Sequence, residues 1–384
     1  MILTELVLLV WVVLGIVHLG VPLAYFGVMK RVASLRDYGL KMSLEWEPSV
    51  SVIVPTYNES PVIEKKLRNL AEMDYPKEKI EIVVVDSASS DGTPEQARKA
   101  LGGTGLRGTV LEEKERKGKA SGLNAGLKQV SGELVCISDA ECLWNKEALR
   151  NAVKYLSDAS VGSVSGVHAS QEMSSLPVSL ENSYRSIYRA VRIGESKVHS
   201  TPVAEGEIQL FRRADLPGFD PHVGGDDSDA ALAMVEKGLR AISAEDVVFF
   251  EPTPSVWRAR FRQKIRRGQH VLQAFLAHRR LFIGRSPAAG IVFPMEFFLY
   301  AINPVLFVPF IALTVWAVAL VPTVLFLALI GGLVVILVPS LRSMAVTYAT
   351  NNLIMLAAWL QEARGNKQLT WEKIEENRLG QRGT

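Results

Sequence analysis

The stretch LVCISDAECLW, Leu134 to Trp144, decides how the chain is read. Leu134–Ile137 is an uninterrupted apolar run of the length of a buried strand, and it runs out on Asp139 and Glu141. On an extended chain residues i and i+2 project from one face, so the two carboxylates are expected to point the same way. Like charges that close cost free energy unless a cation sits between them. Hard carboxylate oxygens suit Mg²⁺ or Mn²⁺.

Outward from this stretch, apolar runs alternate with amphipathic ones. Strands are predicted at Ser49–Pro55, Ile80–Val85, Thr109–Leu111, Leu134–Ser138 and Val161–Val167. Helices are predicted between them, at Glu59–Met73, Asp91–Ala100, Ala120–Val130 and Lys146–Leu156. Such alternation implies an α/β fold with a mostly parallel sheet and flanking helices, and near-continuous apolar strands fit a sheet covered on both faces. Polar residues collect where three of these strands end: Thr56-Tyr57-Asn58-Glu59, Asp86, and Asp139 with Glu141. Open α/β sheets bind ligands at that carboxyl edge. Neither a GxGxxG after the first strand nor a Walker lysine occurs, which disfavours a dinucleotide or P-loop site. Acids and the single Lys119 in RKGKASGLNAG point to a nucleoside diphosphate held through a divalent cation, with Lys119 as a point charge on the phosphates.

The 384 residues have a net charge of +3 and lack a dense Lys/Arg run with interleaved aromatics, so nothing supports a nucleic-acid partner. The two cysteines, Cys136 and Cys142, have no metal-ligand spacing and read as buried thiols of a reducing compartment. Leu3 to Met29 is long and apolar enough to span a bilayer. Its front is acidic (Glu5), and Lys30, Arg31 and Arg36 follow it, which is not the order of a signal peptide. By the positive-inside rule the N-terminus lies outside and the following residues face the cytosol. Ala289–Leu341 has room for two spans, broken at Val321-Pro322 or at Gly331-Gly332; Met344–Leu360 is a weaker third. Three to four spans are expected, with Glu296 and Asn303 at or near membrane depth. The expected parts are a membrane helix at 1–30, a catalytic domain at 43–255, an amphipathic interface region at 256–285, membrane helices at 289–362 and a polar tail at 363–384.

Six stretches, in order, carry a resemblance: PTYNE at 55–59, VVVDSASSDGT at 83–93, GKASGLNAGL at 118–127, SDAE at 138–141, FRRADLPGFDP with GGDDSDAALAMVEKGLRA over 211–241, and RQKIRRGQ at 262–269. Together they resemble the inverting family-2 glycosyltransferases with a GT-A fold. The membrane-embedded branch, which holds cellulose, chitin and hyaluronan synthases and transferases to lipid-linked glycans, is the most similar. The resemblance implies that Pro55, Tyr57, Glu59 and Asp86 bind the donor nucleoside and that Lys119 contacts its diphosphate. Asp139 would hold ribose and metal, Glu141 the metal. Asp227 would be the general base, supported by Asp226, Asp229, Gly206 and His222 on the acceptor side. Gln263 and Arg266 would reach the diphosphate or acceptor. Ser87 and Ala88 replace the Asp and Gly of the family's DDGSxDGT, Glu141 replaces an Asp, and Arg267 stands where QxxRW has its Trp. The lost Trp argues against a long glucan acceptor.

Trp257, Phe261, Ile265, Leu272 and Phe275 or Leu276 form an apolar stripe beside Arg258, Arg262 and Arg266, as in a helix lying in the membrane interface. Arg185, Arg189 and Arg192 read as a solvated row. His168, His199, His222 and His270 have no metal-ligand spacing, and His222, near Asp226, is the one to test. The expectation is a cytosol-facing membrane enzyme that adds one hexose from a nucleotide sugar to a lipid-linked acceptor, such as a dolichyl- or polyprenyl-linked glycan. GDP-mannose is favoured over UDP-sugars. The rivals are a processive polysaccharide synthase, transfer onto a polyprenyl phosphate, and a non-catalytic nucleotide-sugar-binding protein.

Overall fold

Alternating residues of the first predicted strand do go to opposite sides of a sheet. In β1 (Val50–Thr56), Val52 and Val54 join one buried cluster and Ile53 joins another, so the strand is covered on both faces. The computed structural model describes residues 2–169, 176–251, 257–284 and 286–366; from residue 367 on, the expected tail lies outside them.

The chain enters through helices α1 (Ile2–Gly15) and α2 (Val21–Leu35), joined by a π turn at Ile16–Gly20. After β1 come α3 (Ile63–Ala71), β2 (Ile80–Asp86), α4 (Thr93–Thr104), β3 (Arg107–Glu112), α5 (Lys119–Leu127) and β4 (Leu134–Ile137). The second half adds β5 (Leu143–Trp144), α6 (Ala148–Leu156), β6 (Val161–His168), α7 (Leu176–Val198), β7 (Gln209–Arg212), α8 (Asp226–Glu236) and β8 (Arg240–Phe250). Among the described residues the sheet has eight strands, ordered β3-β2-β1-β4-β7-β6-β8-β5. β3, β2, β1 and β4 are parallel, while β7 runs antiparallel between β4 and β6. This is the mixed, curled sheet with flanking helices of the GT-A fold.

β7 and β8 were not legible as strands. β7 is four residues long, and Glu245-Asp246 interrupts the apolar run of β8. The acid pair also departs from expectation. β4 ends at Ile137, and the chain turns at Ala140-Glu141, so the alternation rule for an extended chain does not reach Asp139 and Glu141.

Beyond the sheet lie α9 (Trp257–Ala277), α10 (Phe293–Phe297), α11 (Asn303–Leu320), α12 (Pro322–Leu337) and α13 (Pro339–Ala363). Among the described residues two helices, Thr4–Leu35 and Ala288–Leu320, are long and apolar enough to cross a membrane, or three if the bent pair Pro322–Leu337 and Leu341–Ala363 counts as one span. The break expected near the middle of this region falls at Val321-Pro322, where Pro322 starts a new helix. Gly331-Gly332 stays within α12.

The amphipathic helix is only partly as expected. Leu272 and Phe275 are buried, Gly268 packs on Met355 and Ala358 of α13, and Arg258 and Arg262 point outward. Arg260 is buried instead of joining an outer basic face. The Trp257 side chain lies outside the described residues.

The N-terminal helix is fastened to the sheet domain through α7. Gly194 meets the backbone of α2 so closely that a Cβ there would sit 2.3 Å from the Met29 carbonyl oxygen. Beside it, Tyr25 donates a hydrogen bond to Glu195 at 2.5 Å, and Thr201 donates to the same carboxylate at 2.7 Å. Gly194→Ala is therefore expected to destabilise by about 1–3 kcal/mol through overpacking. Gly27→Ala, where nothing lies within 4 Å of the new methyl group, should not. Thermal melts of both variants in detergent check this.

Candidate active site

The carboxyl edge of the sheet carries two groups of polar side chains. The first lies where β1 and β2 end. Asp86 is buried, and its Oδ1 accepts hydrogen bonds from Thr56 at 3.0 Å and Ser89 at 2.5 Å, while Oδ2 accepts from the Ser89 amide at 2.8 Å. Glu59 is buried beside it. Its helix starts only at Ile63, so Glu59 belongs to the loop, where its amide donates to Thr93 at 2.7 Å. Arg116 stacks on the Tyr57 ring at 3.9 Å, and Pro55 sits in β1 opposite Val85. This group orders the two strand-end loops around one another. Ala88, where the family has Gly, adopts φ 56°, a left-handed conformation costly for a residue with a Cβ.

The second group is built from three elements. Gly118, at φ 95°, turns the chain so that α5 begins on Lys119. The Lys119 Nζ lies 2.8 Å from Asp139 Oδ1, just past β4, and 3.2 Å from Asp226 Oδ2, at the start of α8. Asp227 follows on the same helix terminus, where the helix dipole favours acids. Burial opposes the Lys119 charge, but Asp139 and Asp226 override it and hold the ammonium well above its ordinary range. Burial and the like charge of Asp226 push Asp227 up to about 6. Gly206 faces this pair closely: a Cβ there would lie 3.3 Å from Asp227 Cβ and 3.5 Å from Lys119 Nζ.

Lys119, Asp139, Gly206, Asp226 and Asp227 line one cavity of about 500 Å³, and Gln263 and Arg266 of α9 line it too. Burial, with Arg267 beside it, lowers Arg266 to about 10, while Asp139 and Glu141 pull the other way. Pro55, Tyr57, Glu59, Asp86 and Glu141 lie outside this lining. So do two residues expected on the acceptor side. Asp229 turns away and pairs with His278 at 3.0 Å, fixing α8 to the end of α9. His222 is exposed on its loop, where its amide donates to Asp220. Two other histidines line the cavity, His18 among the long apolar helices and His270, packed on Gly224 and Gly225, beside the acids.

Sequence reasoning missed a second charged array on the same cavity. Arg267 lies 3.2 Å from Glu207 and 2.8 Å from Glu251, and Arg185 lies 2.9 Å from Glu251. Arg192 pairs with Glu205. Two members of the supposedly solvated row on α7 are thus engaged with acids, and both line the cavity. Burial and the Glu251 charge raise Glu207 to about 7; Arg267 and Arg185 hold Glu251 at about 2 despite its burial. The legible signal was the i, i+2 pair Glu205 and Glu207 flanking Gly206, the same spacing that drew attention to Asp139 and Glu141.

Among the described residues no group of three His, Cys, Asp or Glu could hold a metal alone. Asp139 lines the cavity and Glu141 lies just outside its lining, both near enough to Arg266 to raise it, and hard carboxylates are of the kind that Mg²⁺ takes together with phosphate oxygens and water.

The profile of glycosyl transferase family 2 matches residues 51–217. Probable glycosyltransferase YdaM of Bacillus subtilis is 27% identical over 241 residues, 60% of this chain and 57% of that protein. This chain therefore spans a little over half of that relative. Glycosyltransferase AglE of Haloferax volcanii is 30% identical over 212 residues, 53% of this chain and 67% of that protein. The structure of mannosyltransferase PcManGT from Pyrobaculum calidifontis, in complex with GDP-Man and Mn²⁺, superposes with a TM-score of 0.80 at 36% identity, covering 94% of this chain and 100% of that one.

The three-element contact can be tested apart from activity. Lys119→Met leaves buried carboxylates without their cation and should destabilise by about 3–5 kcal/mol. Adding Asp226→Asn removes one of those charges and should restore part of the loss. Melts of the single and double variants decide it; an additive double variant contradicts the contact.

Proposed function

The chain belongs to glycosyl transferase family 2, and from that premise we propose a membrane-bound, inverting hexosyltransferase that moves a single sugar onto a lipid-linked acceptor. Mannose from GDP-mannose is the favoured donor, in line with the GDP-Man held by the structural neighbour. The observation that carries the reading is that Asp227, a carboxyl raised to about 6, opens into the same cavity as Lys119 and Asp139.

Glu59, Asp86, Pro55 and Tyr57 would take the nucleoside at the ends of β1 and β2. Lys119, Gln263 and Arg266 would take the diphosphate. A bound Mg²⁺ or Mn²⁺, held by Asp139, Glu141 and donor phosphate oxygens, would supply Lewis-acid stabilisation of the leaving group. Asp227 accepts the proton of the acceptor hydroxyl. The acceptor oxygen bonds to the anomeric carbon as its bond to phosphate breaks, with inversion, and Lys119 and Arg266 neutralise the charge left on the diphosphate. Asp226 sets the basicity of Asp227, and Gly206 leaves room for the acceptor to approach it. On this reading residues 1–30 and 289–362 anchor the enzyme, 43–255 carry the chemistry on the cytoplasmic side, and 256–285 lie at the lipid surface.

Two measurements test the base. Asp227→Asn should fold and bind donor, yet lose ~10²–10⁴ in turnover. A mild effect would favour transfer onto an already ionised polyprenyl phosphate. In the wild type, kcat/KM should rise with pH through about 6 as Asp227 loses its proton, then level off. Asp226→Asn removes the like charge that raises Asp227, so it should move this limb to lower pH. A limb that stays in place removes Asp227 from the role.

A further inference from the structure

The catalytic cavity does not stop at the acids. Its far half runs down among the long apolar helices, where Leu19, Leu23, Phe26, Phe307, Phe310 and Met344 line it. This arm is a built feature. Both helices beside it leave α geometry at its level, with π turns at Ile16–Gly20 and Phe298–Ile302. Leu19, Leu299 and Tyr300 of those turns face the cavity. π turns recur at functional sites, and irregular backbone at membrane depth is tolerated where it lines a cavity.

A hydrogen-bonded trio holds the wall of the arm. His18 Nδ1 lies 2.7 Å from Asn303 Oδ1, the Asn303 amide donates to the Tyr348 hydroxyl at 2.9 Å, and that hydroxyl donates to the His18 carbonyl oxygen at 2.5 Å. His18 is 0% exposed and Asn303 is 2% exposed. The bonds join the N-terminal helix, α11 and α13 and satisfy one another, so most of the remaining lining of the arm is hydrocarbon and aromatic, with Thr347, Asn351 and Asn352 of α13 as its further polar side chains. Leu23 lines the arm and is still 56% exposed, so the arm is not sealed from the outer surface. At its neck stand Arg192, Lys264 and Arg266, next to the acids.

We propose that this arm binds the proximal part of a polyisoprenoid chain, with the phosphate that links it to the acceptor sugar held at the basic neck. The inference rests on the lipid-linked reading given under the proposed function and specifies how that acceptor is held. Cations at the neck complement a phosphate. A mostly apolar wall, with Thr347, Asn351 and Asn352 confined to α13, suits a hydrocarbon chain better than a growing polysaccharide, which needs hydrogen-bond partners along its length. Some 500 Å³, shared with the sugar pocket, accommodates one chain better than the two of a phospholipid.

The test uses the full chain in detergent and a phytanyl phosphate carrying a diazirine near its phosphate. After irradiation, adducts are expected on the segments around Leu19–Phe26, Leu299–Phe310 and Met344–Met355, and unlabelled phytanyl phosphate should suppress them. Leu23→Trp, which fills the arm, should lower labelling and raise the KM for a phytanyl-linked acceptor, relative to that for donor, about tenfold. Adducts spread over the exposed helix α12, equal suppression by dioleoyl phosphatidylcholine, or unchanged labelling in Leu23→Trp overturns the proposal. Sugar transfer is measured on the same preparation. Transfer to a lipid-linked acceptor with adducts elsewhere sinks the arm alone. Adducts in the arm without transfer from any nucleotide sugar sink the proposed function and leave the arm standing.

Discussion

One ammonium group holds the site together. Lys119 lies between Asp139 and Asp226, carboxylates delivered by the end of one strand and the start of a distant helix. In a poorly hydrated pocket such acids repel strongly, and a cation between them turns repulsion into cohesion. A lysine at the first turn of a helix is opposed by the dipole of that helix, so α5 would not favour Lys119 there on local grounds. The facing acids offset this, and they keep the lysine charged in spite of its burial. What gathers the acids in the free protein is also a cation suited to a diphosphate, so the structural role and the binding role of Lys119 use the same charge.

The Arg267 array works by dividing charge. Glu207 and Glu251 share one guanidinium, but Glu251 also has Arg185. The better-paired acid is held at about 2 and the other rises to about 7. At neutral pH a carboxyl poised between its forms therefore lines the cavity. Its backbone is fixed as well, since the Glu207 carbonyl oxygen accepts the Trp144 indole N–H at 2.9 Å. Arg267, which stands where the resembled motif has Trp, is thus an organiser of two acids.

How much of this was legible follows from the range of each signal. The buried parallel strands announce themselves because each is a local apolar run, and the polar residues at their ends were found for the same reason. Lys119, Asp139, Asp226, Asp227, Gln263 and Arg266 do share a cavity. The expected position of Glu141 came from a period that stops at Ile137, where the strand stops. Arg185 and Arg192 looked solvated because their partners, Glu251 and Glu205, lie outside their own helix. His222 was singled out by closeness in sequence to Asp226, whereas His270 reaches the cavity from α9, a helix that follows much later in the chain. Lys66 gives no local sign of its state: it is fully buried, donates to the Cys142 carbonyl oxygen at 2.8 Å, and is lowered to about 8 by that burial.

Helix α7 explains how chemistry on a sheet edge stays registered to the apolar helices. Its Arg185 and Arg192 face the cavity, its Gly194 touches the backbone of α2, and its Glu195 takes the Tyr25 hydrogen bond. All four lie within about three turns of one helix, which is stiff over that length. A shift of α2 by the width of a methyl group would therefore move Arg185 and Arg192 against Glu251 and Glu205. Glu251 belongs to an array whose proton balance depends on which guanidinium lies nearer. Close glycine packing near the C-terminal end of α7 and ion pairs at Arg185 and Arg192, up to three turns before it, thus make the height of the cavity above the long helices part of its electrostatics. A flexible tether would leave the two independent, and the absence of a side chain at Gly194 is what brings the backbones close enough to prevent that.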